Sequence, residues 1–213
     1  MFDENTFKNY MNYDYILKIL VIGDVSCGKT SLINRFCDLG FSHTYDTTIG
    51  VDINLKFFEE NNKTYKIYIN DVNGLEKFIS ITRCYYKSTE GFILVFDISD
   101  KKSFENIKFW LNDVNEHTNF FIPKILVGTK KDLVSKRQVS YEEAKEFADS
   151  QNIEYCEVSS KTSDNDTINK VFKKIIKEVR YYNSYKEKEK EKVHKSRNNC
   201  FSCFHIPNGC NIS

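Results

Sequence analysis

The chain has 213 residues, 40% hydrophobic and 29% charged, enough for one sizeable core of about 170 residues with ends to spare. A net charge of +1 gives no electrostatic footprint for nucleic acid, and no run approaches the ~18 apolar residues of a membrane-spanning helix. Seven cysteines, an odd number scattered through apparent strands and helices, argue for reduced cytosolic thiols and against a disulfide framework. Residues 1–13 read as an N-terminal extension with no apolar signal stretch, so the chain is expected to stay in the cytosol unless its tail is modified.

In chain order, apolar runs and helical patterns alternate after residue 14. Strands are predicted at 16–22, 51–59, 63–70, 92–97, 122–128 and 154–159. Helices are predicted at 28–37, 76–88, 103–117, 141–151 and from 166 to about 192. Only the second and third strands lack a helix between them, and Glu60-Asn61-Asn62 reads as their hairpin, which makes one antiparallel pair. The other connections are helical crossovers. The expected fold is therefore α/β, a doubly wound, six-stranded, mostly parallel sheet with about five helices and its ligand at the carboxyl ends of the strands. In the last helix Ile168, Val171, Phe172, Ile175, Ile176 and Val179 form a stripe at helical spacing that belongs to the core.

The first strand leads into Gly23-Asp24-Val25-Ser26-Cys27-Gly28-Lys29-Thr30-Ser31, which opens the first helix. Strand, glycine-bounded turn and helix N-terminus in that order make a phosphate-binding loop. Glycines let the backbone fold around an anion with its N–H groups inward, and the helix dipole adds positive potential there. Lys29 is placed to reach the β- and γ-phosphates, and the Thr30 hydroxyl to ligate Mg²⁺.

Further stretches stand where a guanine-nucleotide switch needs them. Thr48, in the long loop before the second strand, can complete the Mg²⁺ shell only when a γ-phosphate is present. Asp71 fits a carboxylate that holds magnesium through water, and Gly74 can bring a backbone N–H to the γ-phosphate. Thr129-Lys130-Lys131-Asp132 offers Asp132 to the N1–H and 2-amino group of guanine, an edge adenine lacks. Ser159-Ser160-Lys161 would present a backbone N–H to the guanine O6. A lone strand-end Asp is more often a cap, but these stand together and in order.

From residue 14 to 182 the chain resembles the Rab proteins of the Ras superfamily of small GTPases, whose P-loop fold it is expected to share. The resemblance is carried by Ile49-Gly50-Val51-Asp52-Ile53, the run from Lys77 to Tyr86, the strand from Phe92 to Ser99, and the run from Ser103 to Leu111. It implies a monomeric membrane-traffic switch that binds GTP or GDP with Mg²⁺. It also implies effectors, an exchange factor and a GTPase-activating protein as partners, and the cytosolic face of endomembranes as its place. By the same comparison Phe41 should pack against the guanine and Tyr45 should belong to the first switch. The chain departs from the family at Leu75, which occupies the place of the glutamine that orients the attacking water. Leucine has no donor or acceptor for that task. Val25 replaces a usual glycine, serine or alanine beside the γ-phosphate and should crowd it. Thr129 replaces the usual asparagine of the guanine motif, a milder change, and Asn70 replaces a tryptophan of the surface that effectors read.

Residues 183–213 read as a flexible tail. Between 186 and 197 there are six Lys or Arg against three Glu, in alternation, a solvated helix extension or linker. The last four residues, from Cys210 to Ser213, fit a prenylation signal with serine in the final place, although Asn211 is polar where an aliphatic residue is commoner. One lipid chain anchors only marginally, which makes Cys200 and Cys203 candidate palmitoylation sites. The alternative is zinc on Cys200, Cys203, His205 and Cys210, against which the spacing counts. Two functions compete: a switch with impaired intrinsic hydrolysis that recruits effectors in its GTP state, favoured by Val25 and Leu75, and a fully cycling GTPase helped by an activating partner. A P-loop kinase or ATPase is disfavoured by Asp132.

Overall fold

The computed structural model describes residues 13–40 and 50–202. Phe41, Tyr45, Thr48, Cys203, His205 and Cys210 lie outside them. The chain divides into two units, Met1–Val179 and Arg180–Ser213.

The first unit is built on a six-stranded sheet. Its strands are β1 (Tyr15–Ile22), β2 (Val51–Glu60), β3 (Lys63–Val72), β4 (Gly91–Asp97), β5 (Lys124–Thr129) and β6 (Glu154–Glu157), in spatial order β2-β3-β1-β4-β5-β6. Only β2 runs antiparallel to its neighbour. Its hairpin with β3 turns through Asn61 and Asn62, both with left-handed φ (52° and 56°), and closes on the pair Glu60 and Lys63. Asparagine tolerates that conformation, and two such residues match the strand twist.

Along β1 alternate side chains enter opposite faces. Ile19 and Val21 pack with α1 (Lys29–Phe36) and the docked part of α6 (Asn165–Ser202). Leu20 and Ile22 pack with α4 (Ile107–His117) and α5 (Tyr141–Ser150). Both faces being covered explains the near-continuous apolar strands. The expected stripe of α6 is buried from Ile168 to Val179, with Phe172 stacked on Phe36 at 3.7 Å between centroids. Full burial of each such side chain contributes roughly 1.5–3 kcal/mol.

The fold is the doubly wound sheet expected, and the differences are local. Strand β5 begins at Lys124, just after Pro123, whose missing N–H cannot join a ladder. The helix expected over 103–117 is two, α3 (Lys101–Glu105) and α4, which meet at Asn106. The one expected over 76–88 begins as a 3₁₀ turn, Glu76–Phe78, before α2 (Ile79–Tyr86). Six α-helices are thus found among the described residues. Asn70 is only 5% exposed, beside Leu20 on β1 and opposite Ile53 on β2, so the surface position in this register is Ile53, at 61%.

Within the second unit the helix runs on to Ser202, past the expected 192, through good helix formers such as Glu and Lys. There Lys192 pairs with Glu189 at 2.8 Å.

Candidate functional site

The loop between β1 and α1 lies at the carboxyl end of the sheet. Gly23 has φ 144°, and a Cβ there would fall 2.0 Å from the Val95 carbonyl oxygen, so no other residue fits. Ser26 is exposed and also left-handed. The first turn of α1, entered through Gly28 and including Ser31, has no side-chain cap and no acidic residue. By contrast Asp100 caps α3 and Ser140 caps α5. An uncapped N-terminus leaves its N–H groups for an anion. Lys29 is buried and donates to the carbonyls of Gly23 (3.0 Å) and Asp24 (2.7 Å), which hold its ammonium over the loop. Burial pushes the Cys27 thiol up, so that side chain is packing and not a nucleophile.

The Thr30 hydroxyl donates to Asp71 Oδ2 at 2.5 Å. Asp71 sits in β3, in register with Val21 of β1, and is 1% exposed. A hydroxyl and a carboxylate at the helix start are the hard oxygen donors that magnesium takes. Thr48, expected to join them, lies outside the described residues.

Just past β3 the chain closes on the loop. A Cβ on Gly74 would lie 2.4 Å from Asp24 C, 2.4 Å from Gly23 O and 2.5 Å from Val25 N. Leu75 follows, partly buried, its N–H donating to Asn73 Oδ1 at 2.9 Å. Val25 and Leu75 thus flank the same Gly74 contact, and neither side chain carries a polar atom.

The other end of the site is made by the ends of β5 and β6. Thr129 donates its hydroxyl to the carbonyls of Cys27 (2.5 Å) and Phe96 (3.0 Å). Lys130, in left-handed backbone, pairs with Asp97 at 2.6 Å. Asp132 is exposed and accepts the Ser159 hydroxyl at 2.5 Å. The same Ser159 oxygen accepts the N–H groups of Lys161 (3.2 Å) and Thr162 (3.1 Å), so the two loops are joined through it.

Three residues not singled out for the site hold it together. Arg35 of α1 donates to the Ser160 carbonyl, to the Ser163 carbonyl at 2.8 Å and to Asn165 Oδ1 at 3.0 Å. Asn106 and Trp110 donate to the two carboxylate oxygens of Asp24. Trp110 carried a signal, since a buried indole N–H needs an acceptor. The sequence had no means of saying which one.

The model of the Ras family matches residues 18–181. GTP-binding protein ypt1 of Schizosaccharomyces pombe is 44% identical over 153 residues, which cover 72% of this chain and 75% of the relative. Ras-related protein RABD2a of Arabidopsis thaliana is 42% identical over 153 residues, with the same two coverages. GTP-binding protein ypt2 of S. pombe is 37% identical over 169 residues, 79% of this chain and 84% of the relative.

Proposed function

The chain belongs to the Rab family of Ras-superfamily small GTPases, and from that membership we propose that it is a guanine-nucleotide switch of membrane traffic with weak intrinsic GTP hydrolysis. The observation that carries this reading is the uncapped start of α1 with Lys29 folded over it and Thr30 bonded to Asp71.

In this reading the backbone from Asp24 to Ser31 cradles the phosphates, and Lys29 exchanges its carbonyl contacts for phosphate oxygens. Thr30 and Asp71 would hold magnesium, with Thr48 as the further ligand that the family resemblance implies. Such an ion would supply positive charge to offset that of the nucleotide phosphates. Asp132 reads the guanine edge and is oriented by the Ser159 hydroxyl. Ser160 and Lys161 line the O6 side, and Phe41 covers the base. Gly74, pressed on Asp24 and Val25, offers its N–H to the γ-phosphate.

Leu75 cannot align water, and Val25 fills space next to it. The GTP state therefore persists, and effectors are recruited for long periods. Loading comes from an exchange factor, and turnover from an activating protein that brings its own polar groups. Prenylation of Cys210 with acylation of Cys200 or Cys203 places the switch on the cytosolic face of endomembranes.

Competition of labelled GTP against GTP and ATP tests the reading. Only GTP should compete at stoichiometric concentration, and Asp132→Asn should weaken GTP at least about tenfold, or 1.4 kcal/mol. Equal competition by ATP, or unchanged GTP affinity in the variant, would overturn the base pocket.

A further inference from the structure

We infer that Asn106 and Trp110 are positioning residues for the nucleotide loop: together they clamp Asp24 and thereby set how fast a bound nucleotide is released. The inference rests on the guanine-nucleotide reading of that loop and adds to it two residues outside the loop itself.

Asp24 is a junction. Its Oδ2 accepts from Asn106 Nδ2 at 2.7 Å and its Oδ1 from Trp110 Nε1 at 2.8 Å. Its carbonyl accepts Lys29 Nζ at 2.7 Å. Its backbone is one of the walls against which Gly74 closes. Side chain, carbonyl and carbonyl carbon thus face three different parts of the site.

The two donors come from a rigid place. Trp110 is 0% exposed in the core beneath α4, and Asn106 is the residue at which α3 and α4 meet. A tryptophan needed only for volume could satisfy its N–H on any neutral carbonyl. Here it meets a carboxylate, a charge-assisted bond about twice as strong as a neutral one. The Asn106 amide takes the other oxygen, so the carboxylate cannot rotate without breaking a bond to α4. Asp24 is only partly buried, so its fixed position comes from these two bonds. A phosphate arriving at the loop then meets N–H groups already in place, and leaving it requires no less order than binding did.

The same geometry supplies the probe. Trp110 is the only tryptophan of the chain, and its indole N–H is bonded to the loop. Its emission should change when Asp24 loses its carboxylate, and again when nucleotide enters.

The test uses the full chain loaded with a fluorescent GDP analogue and chased with excess GDP. Release should quicken at least tenfold in Asn106→Leu and in Trp110→Phe, and by a similar factor in Asp24→Ala. Adding Asp24→Ala to either variant should add little, because one clamp is being removed twice. Trp110 emission in Asp24→Ala should shift relative to wild type with no nucleotide present. Release at the wild-type rate in both single variants, or a double variant whose rate is the product of the singles, would overturn the inference. A merely structural tryptophan lowers the urea midpoint but gives that multiplicative result. Should Trp110→Phe fail to fold, Asn106→Leu with Asp24→Ala completes the cycle. A wild type that takes up no GDP analogue overturns the underlying reading, whereas one that binds it but shows unshifted emission in Asp24→Ala overturns the clamp alone.

Discussion

The hydroxyl of Thr129 lies 2.5 Å from the Cys27 carbonyl and 3.0 Å from that of Phe96, so one side chain ties the end of β5 to the phosphate loop and to β4. It has one proton for two acceptors and serves them in turn. Thr129→Val keeps the shape and removes the donor. Stability should fall by about 1–2 kcal/mol, and guanine-nucleotide affinity severalfold with it, because a buried carbonyl of the loop loses its partner. Urea denaturation and nucleotide titration of the variant measure both; an unchanged midpoint with unchanged affinity contradicts the role given to Thr129.

Intrinsic hydrolysis should be slower than in a relative with glutamine at the position of Leu75. In Ras it is already only about 10⁻⁴ s⁻¹, and each further tenfold is about 1.4 kcal/mol of barrier. Leu75→Gln should recover part of the rate and Leu75→Gln with Val25→Gly more, the two effects being non-additive because both residues border Gly74. Single-turnover hydrolysis of preloaded GTP by wild type, both single variants and the double variant decides the matter. No gain in the double variant means that these side chains do not limit the chemistry.

Acid should weaken the fold through Glu157. Burial raises this carboxyl, but Arg137, bidentate at 2.8 Å, and the Tyr155 hydroxyl at 2.7 Å together hold it below its ordinary value of 4.5. Its contribution is therefore fully present above that ordinary value and is lost as pH falls through the lower, folded value. Glu157→Gln should cost about 2–3 kcal/mol at pH 7, less than for a fully enclosed pair because Arg137 keeps some contact with water. The gap between variant and wild type should narrow on going from pH 7 to pH 3. A gap of constant size in urea melts across that range argues against the ionised pair.

Membrane attachment should depend on Cys210. A prenyl and an acyl chain together anchor stably, and either alone exchanges readily. In cell fractionation Cys210→Ser should move to the soluble fraction, and the double variant Cys200→Ser, Cys203→Ser should divide between fractions. Release of the wild type by a zinc chelator would point to the metal alternative instead.

Contacts made by neighbours in sequence were legible in advance, and those made by distant partners were not. Gly23, Gly28, Lys29 and Thr30 stand in one short run, and the demands of a phosphate loop can be read from it directly. The mainly parallel sheet with one antiparallel pair followed from one hairpin and a series of crossovers, whereas the spatial order of the strands came only with the structure. Asn106 falls within the single helix expected over 103–117, and nothing local records that α3 and α4 meet there. Its bond to Asp24 spans 82 positions, that of Trp110 spans 86, and such pairings exist only once the sheet has brought its strand ends together. Asn70 misled in the opposite way. The resemblance puts a tryptophan of the effector-reading surface at this position, yet Asn70 is buried beside Leu20 while its apolar partner Ile53 is exposed.

Arg35 reaches from the first helix to Ser160, Ser163 and Asn165, contacts that span 125 to 130 positions of chain. During synthesis at roughly 5–20 residues per second, the phosphate loop and its helix emerge roughly 6–25 s before the residues that Arg35 must grip. A ligand that favours only the completed site can add no stability in that interval. The guanidinium waits uncommitted beside an unfinished pocket, and the growing chain passes through a window in which the half made first depends on the half made last.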